Sequence, residues 1–242
     1  MAPPTLLVFT LGPAAECGRK RLLPRALRRE ERRLHERCLE EAVSAGHAAG
    51  CRVLVSAPAE AELPAAAERA PQEGRGFADR LERAMASARE EGGGPLLVVG
   101  ADLPGLTAEP LARAIEALAA DPDRVVLGPS PDGGLYLLAA ARLLPSLAAV
   151  RWCSAHARAD VRALLARAGR EVVLLAPLAD LDRAPDLGRL LRARSVATGL
   201  WRELLARLAR LLAALARPPA PRRPALVPLP VPHLHPGRAP PR

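Results

Sequence analysis

The residues of this chain best suited to chemistry are aspartates that close apolar runs. Leu96 to Val99 is continuously apolar and is followed by Gly100 and Asp102, the pattern of a buried parallel strand that delivers an acid at its C-terminal end. Open α/β sheets bind ligands beyond that end of their strands, so Asp102 stands where a functional carboxylate is expected. A second run, Val125 to Leu127, ends in Gly128-Pro129-Ser130-Pro131-Asp132-Gly133-Gly134, which sets Asp132 on a glycine-rich backbone able to approach a ligand closely. A third acidic turn, with Asp180, Asp182 and Asp186, follows the run Glu171 to Leu175. Acids at neighbouring strand ends suit a divalent cation and the phosphates it carries. A plainer alternative stands beside each: Asp102 capping its turn, and Asp132 closing an Asx-turn with the glycines after it.

The cations come from another strand end. Thr5 to Thr10 reads as the first strand, and the stretch LGPAAECGRKRLLP after it reads as a loop carrying Gly12, Gly18 and three consecutive cations, Arg19, Lys20 and Arg21. Such a loop would grip nucleoside phosphates. A solvated cationic loop accounts for the same residues equally well.

The elements that must position these groups alternate in type. Arg25 to about Ala49 is a long charged helix whose apolar positions Leu27, Leu34, Cys38, Ala42 and Ala45 recur at spacings near three or four, so one face is buried. Arg52 to Ser56 is a strand, and Pro71-Gln72-Glu73-Gly74-Arg75-Gly76-Phe77 leads into a helix through Arg80, Leu81, Ala84 and Met85. Gly92-Gly93-Gly94 precedes a strand instead of a helix, so it reads as a turn and not as a phosphate loop. Thr107 to Ala119 is an amphipathic helix with Thr107 at its N-cap. Leu135 to Ala139 is a strand, and Ser154 to Ala168 is a helix ending at Gly169. The alternation predicts an α/β three-layer sandwich, a mostly parallel central sheet with helices on both faces.

Half of the 242 residues are hydrophobic, enough for one domain of about 200 residues with a full core. The net charge of +9 is uneven, because residues 201–242 carry eight arginines against one glutamate. The body has no basic stripe interleaved with aromatics, so nucleic acid is disfavoured as a partner. Cys17, Cys38, Cys51 and Cys153 form no CxxC pair and read as reduced thiols of a cytoplasmic protein. MAPPTLLVFT has neither the basic flank of a signal peptide nor the length of a membrane span. Leu200, Leu204, Leu205, Leu208, Leu211, Leu212 and Leu215 mark a basic amphipathic helix. Packing on the domain is its ordinary explanation, and contact with an anionic membrane surface is the alternative. The proline-rich remainder cannot bury a core and is expected to be disordered. The divisions are a domain over 1–195, a helix over 196–217 and a tail over 218–242.

Over about residues 5–195 the chain resembles the bacterial selenodomain-associated transferases, which have a glycosyltransferase-A-like (nucleotide-diphospho-sugar transferase) fold. These are similar at a distance to molybdenum-cofactor and phospholactate guanylyltransferases. The resemblance rests on Gly100-Ala101-Asp102-Leu103-Pro104-Gly105-Leu106 and on Gly128 to Leu138. Supporting it are Gln72, Gly74, Phe77, Arg80 and Leu81, then Trp152, Asp180-Leu181-Asp182 and Pro185-Asp186-Leu187. It implies a metal-dependent transferase that uses a nucleotide or nucleotide sugar and an acceptor, with glycosyl transfer first and nucleotidyl transfer or a non-catalytic scaffold as alternatives. On that basis Asp102 is the first ligand of magnesium or manganese, and Asp182 with Asp180 the second. Asp132 contacts sugar or acceptor hydroxyls or acts as general base, and Gly133 and Gly134 shape the substrate loop. Arg19, Lys20 and Arg21 offset diphosphate charge, and Gln72 and Arg80 lie on the nucleotide side. Tyr136 and Trp152 read as core or pocket wall, and the histidines receive no role. The first loop departs from the family's F-A-K-x-P-x-x-G-x-x-K-T-R-L: Leu11 replaces the first lysine, and Arg19-Lys20-Arg21-Leu22 keeps part of the second half.

Overall fold

The computed structural model describes residues 2–193 and 199–216. Its frame is a seven-stranded sheet in the order β3-β2-β1-β4-β6-β5-β7. The strands are β1 (Thr5–Phe9), β2 (Arg52–Ala57), β3 (Glu68–Pro71), β4 (Leu96–Gly100), β5 (Val125–Pro129), β6 (Leu135–Ala140) and β7 (Val172–Leu174). All run parallel except β6, which is antiparallel to both β4 and β5.

Side chains alternate between the two faces of each strand, which is how one apolar run serves two cores. Leu6, Val8, Leu97 and Val99 face one layer, built from α2 (Arg28–Ala48) and α4 (Ala108–Ala120). Leu7, Leu96 and Val98 face the other, built from α3 (Gly76–Gly92) and α5 (Ala157–Arg167). This is the three-layer sandwich expected. A third cluster lies outside the sheet, where Leu34 and Cys38 of α2 meet Leu181, Leu187 of α6 (Ala184–Arg192), and Trp201, Leu205 and Leu208 of α7 (Gly199–Ala216). The amphipathic C-terminal helix thus spends its apolar face on the domain. The proline-rich tail lies outside the described residues.

Two expectations change. Pro13–Lys20 is a helix, α1, and not a loop. Gly12 opens it at φ 88°, a backbone that favours glycine, and Pro13 occupies the first turn, where its missing N–H costs nothing. Sequence also passed over β3, an edge strand with Ala70 as its buried residue. Thr107 sits at the N-cap of α4 without a side-chain capping bond. All four cysteines are free, and Cys153 is exposed.

The sequence path moves from β1 outward through β2 and β3, then returns to place β4 on the other side of β1. The crevice beyond β1 and β4 is therefore the topological switch point, where α/β sheets bind ligands.

Candidate functional site

A cavity of about 800 Å³ opens at that crevice. It is lined by Thr10 after β1, by Glu16, Arg19 and Lys20 of α1, and by Phe77 and Arg80 of α3. Asp102 beyond β4, Asp132 and Gly134 before β6, and Asp180, Asp182 and Arg183 after β7 complete its charged wall.

Because α1 is a helix, Glu16 lies one turn before Arg19 and Lys20 and reaches both. Arg19 donates to Glu16 Oε2 through Nε at 3.1 Å and Nη2 at 2.8 Å. Lys20 Nζ lies 4.0 Å from the same oxygen. The lysine then turns inward. Its ammonium pairs with Asp102 Oδ2, lies 2.5 Å from Asp182 Oδ1 and donates to the Leu181 carbonyl at 3.3 Å. Its side chain is only 2% exposed. Burial would lower the lysine pKa, but Asp102, Asp182 and Glu16 outweigh it and hold the ammonium charged.

The Asp102 and Asp182 turns are tied together by their backbones, since the Leu181 N–H donates to the Asp102 carbonyl at 2.9 Å. Behind Asp102 stands His35 of α2, with Nδ1 3.4 Å from Oδ1, close but outside hydrogen-bond geometry. Burial pushes the Asp102 carboxyl up, yet His35 and Lys20 together bring it below the ordinary aspartate range.

The second acidic group is different in kind. Asp132, Asp180 and Asp182 each offer a carboxylate oxygen, and the three lie within 4.8 Å of one another. Burial, with Asp182 and Asp132 as like-charged neighbours, pushes the Asp180 carboxyl up to about 6. A set of hard oxygen donors this close fits magnesium or manganese by number and chemistry. The loop bearing Asp132 is closed by its own hydrogen bonds. Asp132 Oδ1 accepts the Gly134 N–H at 2.8 Å, which makes the Asx-turn, and the Gly133 carbonyl accepts the Arg158 N–H at 3.1 Å. Gly133 has φ 95°, and a Cβ there would run into the Ala155 carbonyl, so the turn requires glycine.

The structure therefore brings Arg19, Lys20, Arg80, Asp102, Asp132, Gly134, Asp180 and Asp182 to one cavity. It regroups the acids: Asp132, read as catalytic, joins Asp180 and Asp182, whereas Asp102, read as the first metal ligand, is paired with Lys20 outside that trio. Arg21 is the exposed left-handed C-cap of α1 and does not line the cavity. Gln72 donates to the Thr10 and Ser56 carbonyls, bracing the ends of β1 and β2. Glu16, His35 and Arg183 were not picked out. Glu16 had a signal, its three- and four-residue spacing to Arg19 and Lys20. His35 had none, because its approach to Asp102 is tertiary.

A family profile matches residues 34–154, half of the chain, and spans Asp102, Asp132, Gly133 and Gly134. The chain belongs to DUF2064, a family described as uncharacterized protein conserved in bacteria. No curated protein matches the sequence. Among solved structures, a provisionally described nucleotide-diphospho-sugar transferase from Desulfovibrio desulfuricans G20 superposes with a TM-score of 0.75 at 21% identity, over 88% of this chain and 98% of that one. Rv0371c from Mycobacterium tuberculosis H37Rv gives 0.52 at 20% identity, over 79% and 98%. A nucleotidyl transferase from Methanothermobacter thermautotroptrophicus gives 0.51 at 17% identity, over 78% and 95%. At these identities the likeness is one of fold, and the fold is that of nucleotide-diphospho-sugar transferases. Among the described residues no helix is long and apolar enough to cross a membrane.

Proposed function

We propose that this member of DUF2064 is a metal-dependent transferase of a nucleotide-activated donor, acting in the cytoplasm by glycosyl transfer from a nucleotide sugar. The observation that carries this reading is the convergence of Asp132, Asp180 and Asp182 against their mutual repulsion, in the cavity that also holds Lys20, Arg19 and Arg80. Magnesium or manganese held by Asp180 and Asp182 would neutralise charge on a diphosphate leaving group and leave Asp132 beside it free to act as a base.

The protein's own groups do the rest. Arg19 and Arg80 bind the donor phosphates, and Lys20 keeps Asp102 and Asp182 in register beneath them. Asp132, exposed at the mouth, accepts the proton of an acceptor hydroxyl as its oxygen attacks the anomeric carbon. The bond from that carbon to the diphosphate breaks, and a nucleoside diphosphate departs. Nucleotidyl transfer to a phosphorylated acceptor is the second reading. It draws support from the fold shared with the Methanothermobacter nucleotidyl transferase and from the resemblance to guanylyltransferases.

Product analysis with manganese and a panel of nucleotide sugars tests the reading. Release of a nucleoside diphosphate supports glycosyl transfer, and pyrophosphate supports nucleotidyl transfer. Absence of nucleotide binding in calorimetry would leave a scaffold of the same fold.

A further inference from the structure

The chain has only five aromatic side chains, and four of them, Phe9, Phe77, Tyr136 and Trp152, border the cavity that holds the acids. The fifth, Trp201, is fully buried in the outer cluster beneath α7. Tyr136 is structural: its ring is buried against Gly128 and its hydroxyl donates to the Ala176 carbonyl at 3.2 Å. The other three are half-buried and continuous. Phe9 meets Phe77 edge to face with centroids 5.3 Å apart, and Phe77 meets Trp152 at 5.4 Å with a tilt of 38°.

The cavity that these rings border also holds cations and acids. Arg80 lies one turn beyond Phe77 on α3, and Lys20 reaches Asp102 and Asp182. A ligand filling it meets rings, cations and carboxylates that suit a metal. A ring joined to phosphates that carry a divalent cation is a nucleotide.

We propose that Phe77 and Trp152 form the stacking surface for the base of the donor nucleotide, and that this base is a purine. The proposal rests on the donor reading above and adds the base to it. Three polar side chains beside the wall are already engaged. Trp152 Nε1 donates to the Leu147 carbonyl, the Thr10 hydroxyl accepts from the Gly12 N–H, and the Ser154 hydroxyl donates to the Arg151 carbonyl and accepts from the His156 N–H. Selection on this wall therefore works chiefly by stacked area. Area favours the bicyclic base over the single ring.

Tryptophan emission reads the test directly. With manganese present, ADP and GDP are expected to quench emission and bind more tightly than UDP and CDP. Phe77→Leu and Trp152→Leu should weaken ADP by about five- to a hundredfold. Both variants should bind inorganic pyrophosphate with manganese as the wild type does, which shows that they are folded. Trp201→Phe should retain the quench, and Trp152→Phe should lose it while keeping most of the affinity. UDP binding as tightly as ADP would overturn the purine assignment. Unchanged ADP affinity in Phe77→Leu would overturn the stacking surface and leave the donor reading standing. Failure of both pyrophosphate and nucleotides to bind wild-type protein would overturn the donor reading and this proposal with it.

Discussion

Asp102 and Asp180 both follow strands in turns at the same rim, yet their surroundings are opposite. Asp102 faces the Lys20 ammonium and His35, and its carboxyl is held below the ordinary range. Asp180 sits beside Asp132 and Asp182, and its carboxyl is pushed up to about 6. The first arrangement has its countercharge within the chain, in Lys20. The second concentrates like charge, which a proton or a bound cation would offset. Asp182 belongs to both, so it couples the structural pair to the binding cluster.

Removing the compensating charge should break the comparison most visibly. Lys20→Met leaves Asp102 without its cation and is expected to cost about 3 kcal/mol in urea unfolding. A loss of under about 1 kcal/mol would mean the pair is not structural. Next comes the shared acid. Asp182→Asn should weaken manganese binding at least about tenfold by calorimetry, and Asp102→Asn should weaken it less. Equal losses in the two variants would erase the distinction.

The distinction was partly legible in the sequence. Apolar runs closed by glycine and an acidic turn gave β4 and β5 with Asp102 and Asp132, because burial on both faces of a sheet writes a continuous apolar pattern. The third turn follows the edge strand β7, whose apolar run is only part-buried. The pairing of the acids was not legible, because it depends on Leu181 bonding to the Asp102 carbonyl and on Lys20 reaching inward from α1. Gly12, Pro13 and Gly18 made α1 look like a loop, although Pro13 is in place for a first turn. The reversed direction of β6 also left no mark, since its buried run Leu137 to Ala140 reads the same for either orientation.

The pH response separates the two regions further. Asp180 takes up its proton more readily in the folded metal-free protein than in the unfolded chain, where its value is the ordinary 3.8. Its contribution to stability is therefore full below about pH 4 and is lost as pH rises through about 6. Asp180→Asn should flatten that part of the metal-free stability profile, and an unaltered profile would remove the raised carboxyl. The smallest effect is expected from Arg19→Ala. Its pair with Glu16 is half-exposed, so the change should cost less than about 1 kcal/mol of stability while weakening pyrophosphate binding.

The central claim is that the Asp132, Asp180 and Asp182 cluster binds a divalent cation together with a nucleotide. Calorimetric titration of manganese into wild-type protein, with and without ADP, tests it most directly. The account predicts one manganese site whose affinity rises when ADP is present, with ADP affinity rising by the same factor when manganese is present. No manganese binding under either condition, or binding unchanged when Asp180 and Asp182 are both replaced by Asn, would contradict it.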